Sequence, residues 1–427
     1  MEVWKVLESS TKQKLTYLFL AGLLFWISIT LLLPTLPTYI QYTGGTTRQV
    51  GIVMGSFAIG LLASRTWLGK VADRRSRKIV ILIGSVVAAL APVFYVSADS
   101  VFALGLIRAF HGISIAAFTI GYSALVVDLA PVKYRGTLIG HMNLTVPIGM
   151  SIGPALGGFL QANGKQYFPE GSGYEVLFAV SAVCGILAFT LSSQIKATAL
   201  PDTESTVTAF NRTQRNFLAF AKDHALVIPT VVLLLIGLVF GTLAAFLPLF
   251  IRELGLNFNV GLFYTAVAIT SFSVRLFVGK ASDRHGRGLF ISMALVCYVV
   301  SMIILSVAQT PMMFILAAIA EGAGAGVLIP LSLALVSDRS YANERGKVFA
   351  FCMGGFDVGI ALGGPSFGFL DGILGGYRGI FALAAVLAAV ALIIFITQAS
   401  KDIKHSFDFA LGKAPDVYAL NQSTVNS

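Results

Sequence analysis

Long stretches without a single Asp, Glu, Lys or Arg constrain this chain more than any other feature. They cover 15–47, 79–98, 109–127, 136–164, 176–195, 224–251, 254–274, 288–320 and 379–400. Most are long enough to cross a bilayer once, at roughly 20 residues per helix. Hydrophobic residues make up 56% of the chain, charged residues only 12%, and the mean hydropathy is +0.83. Such a composition excludes a soluble fold of this length and predicts a membrane protein.

We expect an all-α integral membrane protein with twelve transmembrane helices. The predicted spans are about 15–40, 48–69, 79–97, 101–127, 136–161, 175–195, 225–251, 260–280, 289–308, 312–336, 346–370 and 378–398. Positive charge favours the cytoplasmic side of a membrane. Of the 30 Lys and Arg, 23 fall in the termini and in every second loop, whereas the opposite loops hold four. The distribution predicts a multi-pass protein of the cell membrane, expected to be a bacterial inner membrane, with both termini in the cytoplasm.

The most polar stretches are related by an internal repeat. "RTWLGKVADRRSRK" begins at Arg65, and "RLFVGKASDRHGRG" begins at Arg275, 210 residues later. "ALVVD", which ends at Asp128, recurs at the same offset as "ALVSD", which ends at Asp338. An even number of spans in each half keeps matching loops on one side of the membrane, so the halves are predicted to be two parallel six-helix repeats.

The repeat also predicts the domain organisation. We expect an N-terminal six-helix bundle over 1–196 and a C-terminal six-helix bundle over 225–400. Residues 197–224 are polar, charged and rich in turn-forming residues, which is typical of a cytoplasmic linker. Residues 401–427 are expected to form a cytoplasmic tail.

These motifs resemble those of a known family, the major facilitator superfamily. "GKVADRRSRK" resembles the loop between the second and third helices of that family, and "GKASDRHGR" resembles the corresponding loop in its second half. "LGLIRAFHGISIAA" resembles the fourth-helix motif with a membrane arginine. "GMSIGPALGG" (149–158) resembles the fifth-helix motif associated with antiporters. The resemblance covers essentially all twelve spans and implies the major facilitator fold.

The resemblance implies that the paired charged loops form a breakable latch on the cytoplasmic side, with Asp73 near the N-terminus of the eleventh helix. Free backbone N–H groups favour an anion there. The internal symmetry pairs Asp128 with Arg65 or Arg74, and Asp338 with Arg275 or Arg284. The alternative is that the clusters only set topology, which accounts for the cations but not for an Asp at fixed spacing. The predicted gate residues are Arg65, Gly69, Asp73, Arg74, Arg77, Asp128, Arg275, Gly279, Asp283, Arg284 and Asp338.

Four ionisable residues inside the spans are candidates for a proton or substrate pathway, because charge at that depth is costly. Arg108 and His111 share a helix face. The resemblance implies that Arg108 takes part in proton transfer or holds the cavity. The alternative is that Arg108 has a structural role and binds backbone carbonyls. Glu321, the repeat counterpart of His111, is either a proton carrier or a permanent partner of Arg or His. Asp357 either belongs to the pathway or makes a bond that is purely structural.

The fifth span carries the antiporter-type glycine motif, which consists of Gly149, Gly153, Pro154, Gly157 and Gly158. Small residues let helices approach closely. Family resemblance packs this span on the eighth, where it would seal a leak between the halves. A generic packing face is the alternative, and it is compatible with sealing.

Three functions compete. The first is a proton-coupled exporter of a small organic molecule, favoured by the fifth-span motif, Glu321 and Arg108. The second is an importer or facilitator of a sugar or organic anion, because the first span lacks an acid that many similar multidrug antiporters have there. The third, a membrane receptor or membrane-embedded enzyme, has little support: no nucleotide loop, metal-ligand spacing or nucleophile triad appears. We expect no enzyme activity, cofactor, metal or nucleic acid, and a monomer whose partners are substrate, protons and lipid.

Overall fold

The computed structural model describes residues 7–131, 134–167, 173–195, 217–341 and 344–420, and its regular structure there is entirely helical. The helices are α1 (Ser9–Leu31), α2 (Leu36–Tyr42), α3 (Thr47–Arg74), α4 (Arg77–Val96), α5 (Val101–Leu129), α6 (Arg135–Met142), α7 (Thr145–Tyr167), α8 (Tyr174–Ser193), α9 (Phe217–Phe220), α10 (His224–Glu253), α11 (Val260–His285), α12 (Arg287–Val307), α13 (Pro311–Asp338), α14 (Arg345–Leu374), α15 (Tyr377–Gln398) and α16 (Ile403–Ala410).

Within the described residues, 11 helices are long and apolar enough to cross a membrane. A helix suits this environment because it satisfies every backbone N–H and C=O within its own segment. The first of the 11 joins α1 and α2, and the others correspond to every predicted span except the fifth. Large apolar side chains such as Phe102, Phe277 and Ile373 remain exposed on these helices, as a lipid-facing surface requires.

The predicted fifth span consists of two helices, α6 and α7, which are separated at Asn143 and Leu144. The break frees the carbonyl of Met142, which accepts hydrogen bonds from the hydroxyls of Tyr122 (2.8 Å) and Thr145 (3.1 Å). Side-chain hydroxyls of this kind let a membrane helix be interrupted without an unsatisfied carbonyl. Glycine, proline and polar residues take the place of large apolar residues in α7, and this helix is not among the 11.

The described residues form two compact units. Unit 1 lies within Met1–Pro201 and Ala244–Ala268, and unit 2 lies within Asp202–Leu243 and Ile269–Ser427. The boundary between these two units falls inside α10 and α11. The linker over 197–224 stays a prediction, and its residues 197–216 lie outside the described residues.

Close helix contacts hold each unit together. In unit 1, α3 and α5 approach so closely that a Cβ at Gly60 would overlap the carbonyl of Ala109, and one at Gly112 would overlap the carbonyl of Phe57. In unit 2, a Cβ at Gly359 of α14 would overlap the carbonyl of Leu234 on α10. Small residues provide close packing where the surrounding lipid supplies no hydrophobic driving force.

Candidate functional site

The glycine motif of the fifth span packs on two helices at once. One edge of α7 faces α1: a Cβ at Gly153 would overlap the hydroxyl of Thr30, and one at Gly157 would overlap the carbonyl of Leu31. The Thr30 hydroxyl also donates to the carbonyl of Gly149 at 3.0 Å. These three glycines therefore receive the backbone of α1.

The other edge of α7 receives the start of α11, and this contact lies inside unit 1. The Asn259 side-chain amide donates to the carbonyl of Ala155 (3.2 Å), while its carbonyl oxygen accepts from the backbone N–H of Gly261 (2.8 Å). One turn further along α11, the Thr265 hydroxyl donates to the carbonyl of Ser151 (2.6 Å). The predicted contact between the fifth and eighth spans is present.

Two members of the motif form this second edge. A Cβ at Gly158 would overlap the side chain of Asn259, and one at Gly261 would overlap the carbonyl of Pro154. The sequence analysis did not single out Asn259 or Thr265. An Asn directly before the start of a span is a helix-capping signal, but nothing in the sequence indicates that its amide also reaches α7.

A cavity of about 700 Å³ lies beside this contact, at the end of unit 1 that the charge distribution assigns to the outside. Its polar lining consists mostly of amides and hydroxyls, with one cation. The polar lining residues are Thr35, Thr38, Tyr42, Gln161, Asn163, Tyr174, Arg252, Asn257 and Asn259. We call this cavity the amide-lined pocket. Such a lining can hydrogen-bond a neutral or anionic polar molecule.

Arg108 and His111 lie together in unit 1, buried at 7% and 0% exposure. The guanidinium carbon of Arg108 stands 4.3 Å from the centre of the Phe57 ring, a cation–π geometry. The Tyr95 hydroxyl of α4 is 3.3 Å from Nδ1 of His111 and close enough to hydrogen-bond Arg108. Within the described residues, Nε and Nη1 of Arg108 and Nε2 of His111 have no hydrogen-bond partner. Buried polar atoms in that state can accept an exchangeable partner.

Glu321 is buried in unit 2, with 1% of its surface exposed. Its carboxylate oxygen Oε2 has no hydrogen-bond partner among the described residues. Tyr298 of α12 lies close enough to interact with it electrostatically, and the Tyr298 ring packs on Gly324, one turn along α13. Asp357 of α14 is also buried, at 7% exposure, and is engaged by a partner within the protein.

The repeated aspartates form ion pairs with two arginines that the symmetry argument did not name as their partners. Asp128 pairs with Arg77, which also donates to the carbonyl of Ala124. Asp338 pairs with Arg287 at 3.1 Å. The repeat is kept, since Arg287 follows Arg77 by the same 210 residues that separate the aspartates.

Helix position accounts for these two pairs. Arg77 and Arg287 are the first residues of α4 and α12, and each of these helices runs beside the helix that ends near the aspartate. Arg77 was among the predicted gate residues, whereas Arg287 was missed, although its offset from Arg77 indicated it.

The remaining gate residues lie in the C-terminal halves of α3 and α11. Asp73, Arg74 and Arg284 are exposed. Arg65 is half-buried, and Nε of Arg275 donates to the carbonyl of Gly326 at 3.3 Å. Gly69 and Gly279 leave open space where a Cβ would stand, and the side chain of Asp283 lies outside the described residues.

A further charged pair, which the sequence analysis missed, ties the tail to unit 2. The guanidinium of Arg339 donates from Nε and Nη2 to the two carboxylate oxygens of Asp416, at 2.7 and 2.9 Å. It also donates to the carbonyls of Ala225 and Ala399, both at 2.9 Å. We call the Arg339–Asp416 pair the tail clasp. The repeat counterpart of Arg339 is Leu129, so unit 1 has no equivalent cation at that position.

Comparison with known proteins agrees with this architecture. The family model of the Major Facilitator Superfamily matches residues 18–307 and 258–411. Similar proteins include the Multidrug resistance protein MdtG of Salmonella choleraesuis (strain SC-B67), which is 26% identical over 386 residues, covering 88% of this chain and 92% of the relative. The protein of the same name from Salmonella typhi shows the same identity and coverage.

Solved structures of transporters share the fold at low identity. A bacterial homolog of the human lysosomal transporter Spinster, in an inward-facing and unoccupied conformation, gives a TM-score of 0.77 at 16% identity, covering 91% of this chain and 96% of that one. The nucleoside transporter NupG gives 0.74 at 14% identity, covering 89% and 98%. A D-xylose-proton symporter gives 0.70 at 18%, covering 91% and 98%. With its helical membrane spans, its repeated charged ends and this family match, the chain belongs to the Major Facilitator Superfamily and is a multi-pass membrane transporter rather than an enzyme.

Proposed function

We propose that this transporter exports a small organic molecule from the cytoplasm of a bacterium in exchange for protons. It works as a monomer by alternating access, with both termini in the cytoplasm. The relatives named as multidrug resistance proteins support the export direction.

The observation that carries the proposal is the buried carboxyl group of Glu321, with one oxygen unpartnered within the described residues. Removing a carboxylate from water disfavours its charged form unless a cation faces it. The group is therefore most stable with a proton bound when the pathway holds no cation, and it releases that proton when a cationic partner or water reaches it. A residue with those two states can couple substrate movement to proton movement.

The packing of α7 supports the exchange mechanism. An exchanger must not leak, and the glycines of the motif let α1 and α11 close on α7 because they add no side chain of their own to these contacts. The hydrogen bonds from Asn259 and Thr265 fix the register of the contact. In this account α7 seals the outer side while the cytoplasmic side is open.

Charge pairs of the gate supply the breakable latch on the cytoplasmic side. The pairs Arg77–Asp128 and Arg287–Asp338 are partly exposed, so each contributes on the order of 1 kcal/mol or less. Interactions of that size hold a helix end in place and can still be exchanged during a transport cycle. Asp73, which is exposed at the end of α3, is the residue we assign to the contact that opens.

A second candidate, an importer or facilitator of a sugar or organic anion, is favoured by the amide-lined pocket. Amides, hydroxyls and Arg252 suit a hydroxylated or anionic molecule better than a lipophilic cation. The absence of an acid from α1 points the same way.

The test uses inverted membrane vesicles energised to an acidic interior and loaded with a pH-sensitive acridine dye. An exported substrate added outside should enter in exchange for protons and partly restore the fluorescence. Lipophilic cations, sugars, nucleosides and organic acids are compared, with vesicles that lack the protein as the control. Export is supported if a compound dissipates the gradient only when the protein is present. Uptake of sugars or anions by right-side-out vesicles, with no response in inverted ones, would support the second candidate instead.

A further inference from the structure

The tail begins with a short helix that stays close to the membrane. The last span, α15, ends at Gln398, and α16 starts at Ile403. The Asp402 carboxylate caps α16 by accepting from the backbone N–H of His405 at 2.9 Å, and that hydrogen bond holds the pKa of Asp402 below its usual value. The cap is therefore charged and intact at neutral pH. A four-residue link leaves α16 within reach of the bilayer surface.

One face of α16 is packed on unit 2. Ser406, Phe409 and Ala410 are buried. The ring of Phe409 lies 6.1 Å from the ring of Phe395 on α15. At the start of α12, a Cβ at Gly288 would overlap the carbonyl of Phe409. This face is occupied by the protein itself.

The tail clasp fixes the other end of the segment. The Arg339 side chain has 0% exposure, and its bidentate pair with Asp416 holds the chain five residues after Leu411. Tyr418 adds a cation–π contact with the same guanidinium at 5.2 Å. α16 is thus held at both ends, and it cannot rotate to bury a different face.

The face left open is apolar. Ile403, Phe407 and Leu411 are 70%, 51% and 39% exposed, and their spacing of four residues puts them in one stripe along the helix. Lys401, Lys404 and Lys413 are exposed at the ends of this stripe and beside it. A stripe of apolar residues with flanking lysines is typical of helices that lie in the membrane interface.

We propose that α16 docks on anionic phospholipid of the leaflet next to the C-terminal end of α15. Ile403, Phe407 and Leu411 enter the boundary between headgroups and acyl chains, and the lysines contact the lipid phosphates. Lipid is the occupant because the end of a membrane span lies four residues away, and because the flanking charges complement an anionic surface. The positive-inside prediction assigns this leaflet to the cytoplasm.

The test measures the surroundings of single positions by spin-label accessibility in the full chain, reconstituted in vesicles of phosphatidylcholine with phosphatidylglycerol. Labels are placed by Phe407→Cys and, as a matched control, by Val417→Cys, since Val417 is an apolar residue beyond α16 with a comparable exposure (44% against 51%). The background has Cys184, Cys297 and Cys352 replaced by alanine, and it must retain the unfolding temperature of the natural chain. The label at 407 should be accessible to oxygen and protected from a nickel chelate, whereas the label at 417 should be open to the chelate.

Two comparisons complete the test. In vesicles of phosphatidylcholine alone, the 407 label should become more accessible to the chelate. In the anionic vesicles, replacing both lysines by Lys401→Gln and Lys404→Gln should weaken the preference of α16 for phosphatidylglycerol over phosphatidylcholine by roughly tenfold. A 407 label that is open to the chelate in anionic vesicles would overturn the proposal. So would equal protection in both vesicle types, or spin–spin broadening that reveals a second copy of the chain on this face.

Discussion

In unit 1 the contact between α4 and α5 buries Arg108 and His111 beside Tyr95, whereas the matching contact of unit 2, between α12 and α13, buries Glu321 beside Tyr298. His111 and Glu321 stand at equivalent positions, 210 residues apart. The site of unit 1 thus holds the cation Arg108, whereas the site of unit 2 holds an acid, and we propose that this acid is the group that binds and releases a proton.

The largest effect should come from removing the charge of Glu321, the acid of unit 2. Glu321→Gln should abolish export driven by a pH gradient yet retain exchange of substrate at equal pH, because glutamine keeps the shape of the side chain and carries no proton. Each pH unit supplies about 1.4 kcal/mol per coupled proton, which corresponds to a tenfold gradient of substrate. The variant should lose this whole driving force. Both modes are measured in proteoliposomes.

The equivalent change in unit 1 sharpens the comparison. His111→Gln should keep gradient-driven export, because the fixed charge of that unit is on Arg108. Wild-type gradient-driven export by Glu321→Gln, or loss of both transport modes in it, would contradict the assigned role of Glu321.

Next in size is a difference in stability between the two units at the ends of α5 and α13. Asp416→Ala should lower the unfolding free energy by about 3 kcal/mol, because it leaves the guanidinium of Arg339 buried without its anion. Unit 1, which has Leu129 at the matching position, has no such dependence. Thermal unfolding in lipid nanodiscs measures the loss, and Asp408→Ala in the same tail is the control. An unchanged unfolding temperature in Asp416→Ala would show that the tail clasp does not stabilise unit 2.

A smaller loss of unfolding free energy is expected from a substitution in α7. Gly153→Val should cost about 1–3 kcal/mol of packing energy and make vesicles leaky to substrate, because the new side chain would overlap Thr30 of α1. Gly140→Val is the matched control, since a Cβ there meets open space. If the two variants leak equally little, α7 does not seal the pathway.

The smallest effect concerns the two ion pairs. Arg77→Gln should cost about 1 kcal/mol or less, and Arg287→Gln should cost less still, because Asp338 is more exposed than Asp128, at 38% against 17%. The unfolding temperatures of the two variants give the order. A larger loss in Arg287→Gln would reverse the ranking that solvent screening predicts.

Sequence repeats predicted the fold well because they record which loops lie on the same side of the membrane. The uncharged intervals indicated the spans, the offset of 210 residues indicated the matching charges, and the resemblance of four motifs indicated the family. The break between α6 and α7 was not predicted, because the hydroxyl of Tyr122 that caps it comes from another helix.

Side-chain partners were harder to predict than helices. The repeat gave the correct offset for Asp128 and Asp338 but did not indicate Arg77 and Arg287 as their partners, since a sequence does not show which neighbouring helix begins level with an aspartate. The tail clasp joins residues 77 positions apart with no motif, and Asn259 acts across helices through an ordinary capping residue. Tyr95 and Tyr298 could not be distinguished from other membrane aromatics without the structure.

Proton movement itself tests the central claim most directly. Proteoliposomes carry a pH dye inside and no initial pH gradient, and an outward gradient of the substrate identified in the vesicle assay is then imposed. The account predicts that outward substrate flow drives protons inward, so that the lumen of vesicles with the natural chain acidifies and that of vesicles with Glu321→Gln does not. Substrate flow without any change of lumenal pH in the natural chain would contradict proton exchange, and acidification that persists at full rate in Glu321→Gln would contradict the role of its carboxyl group.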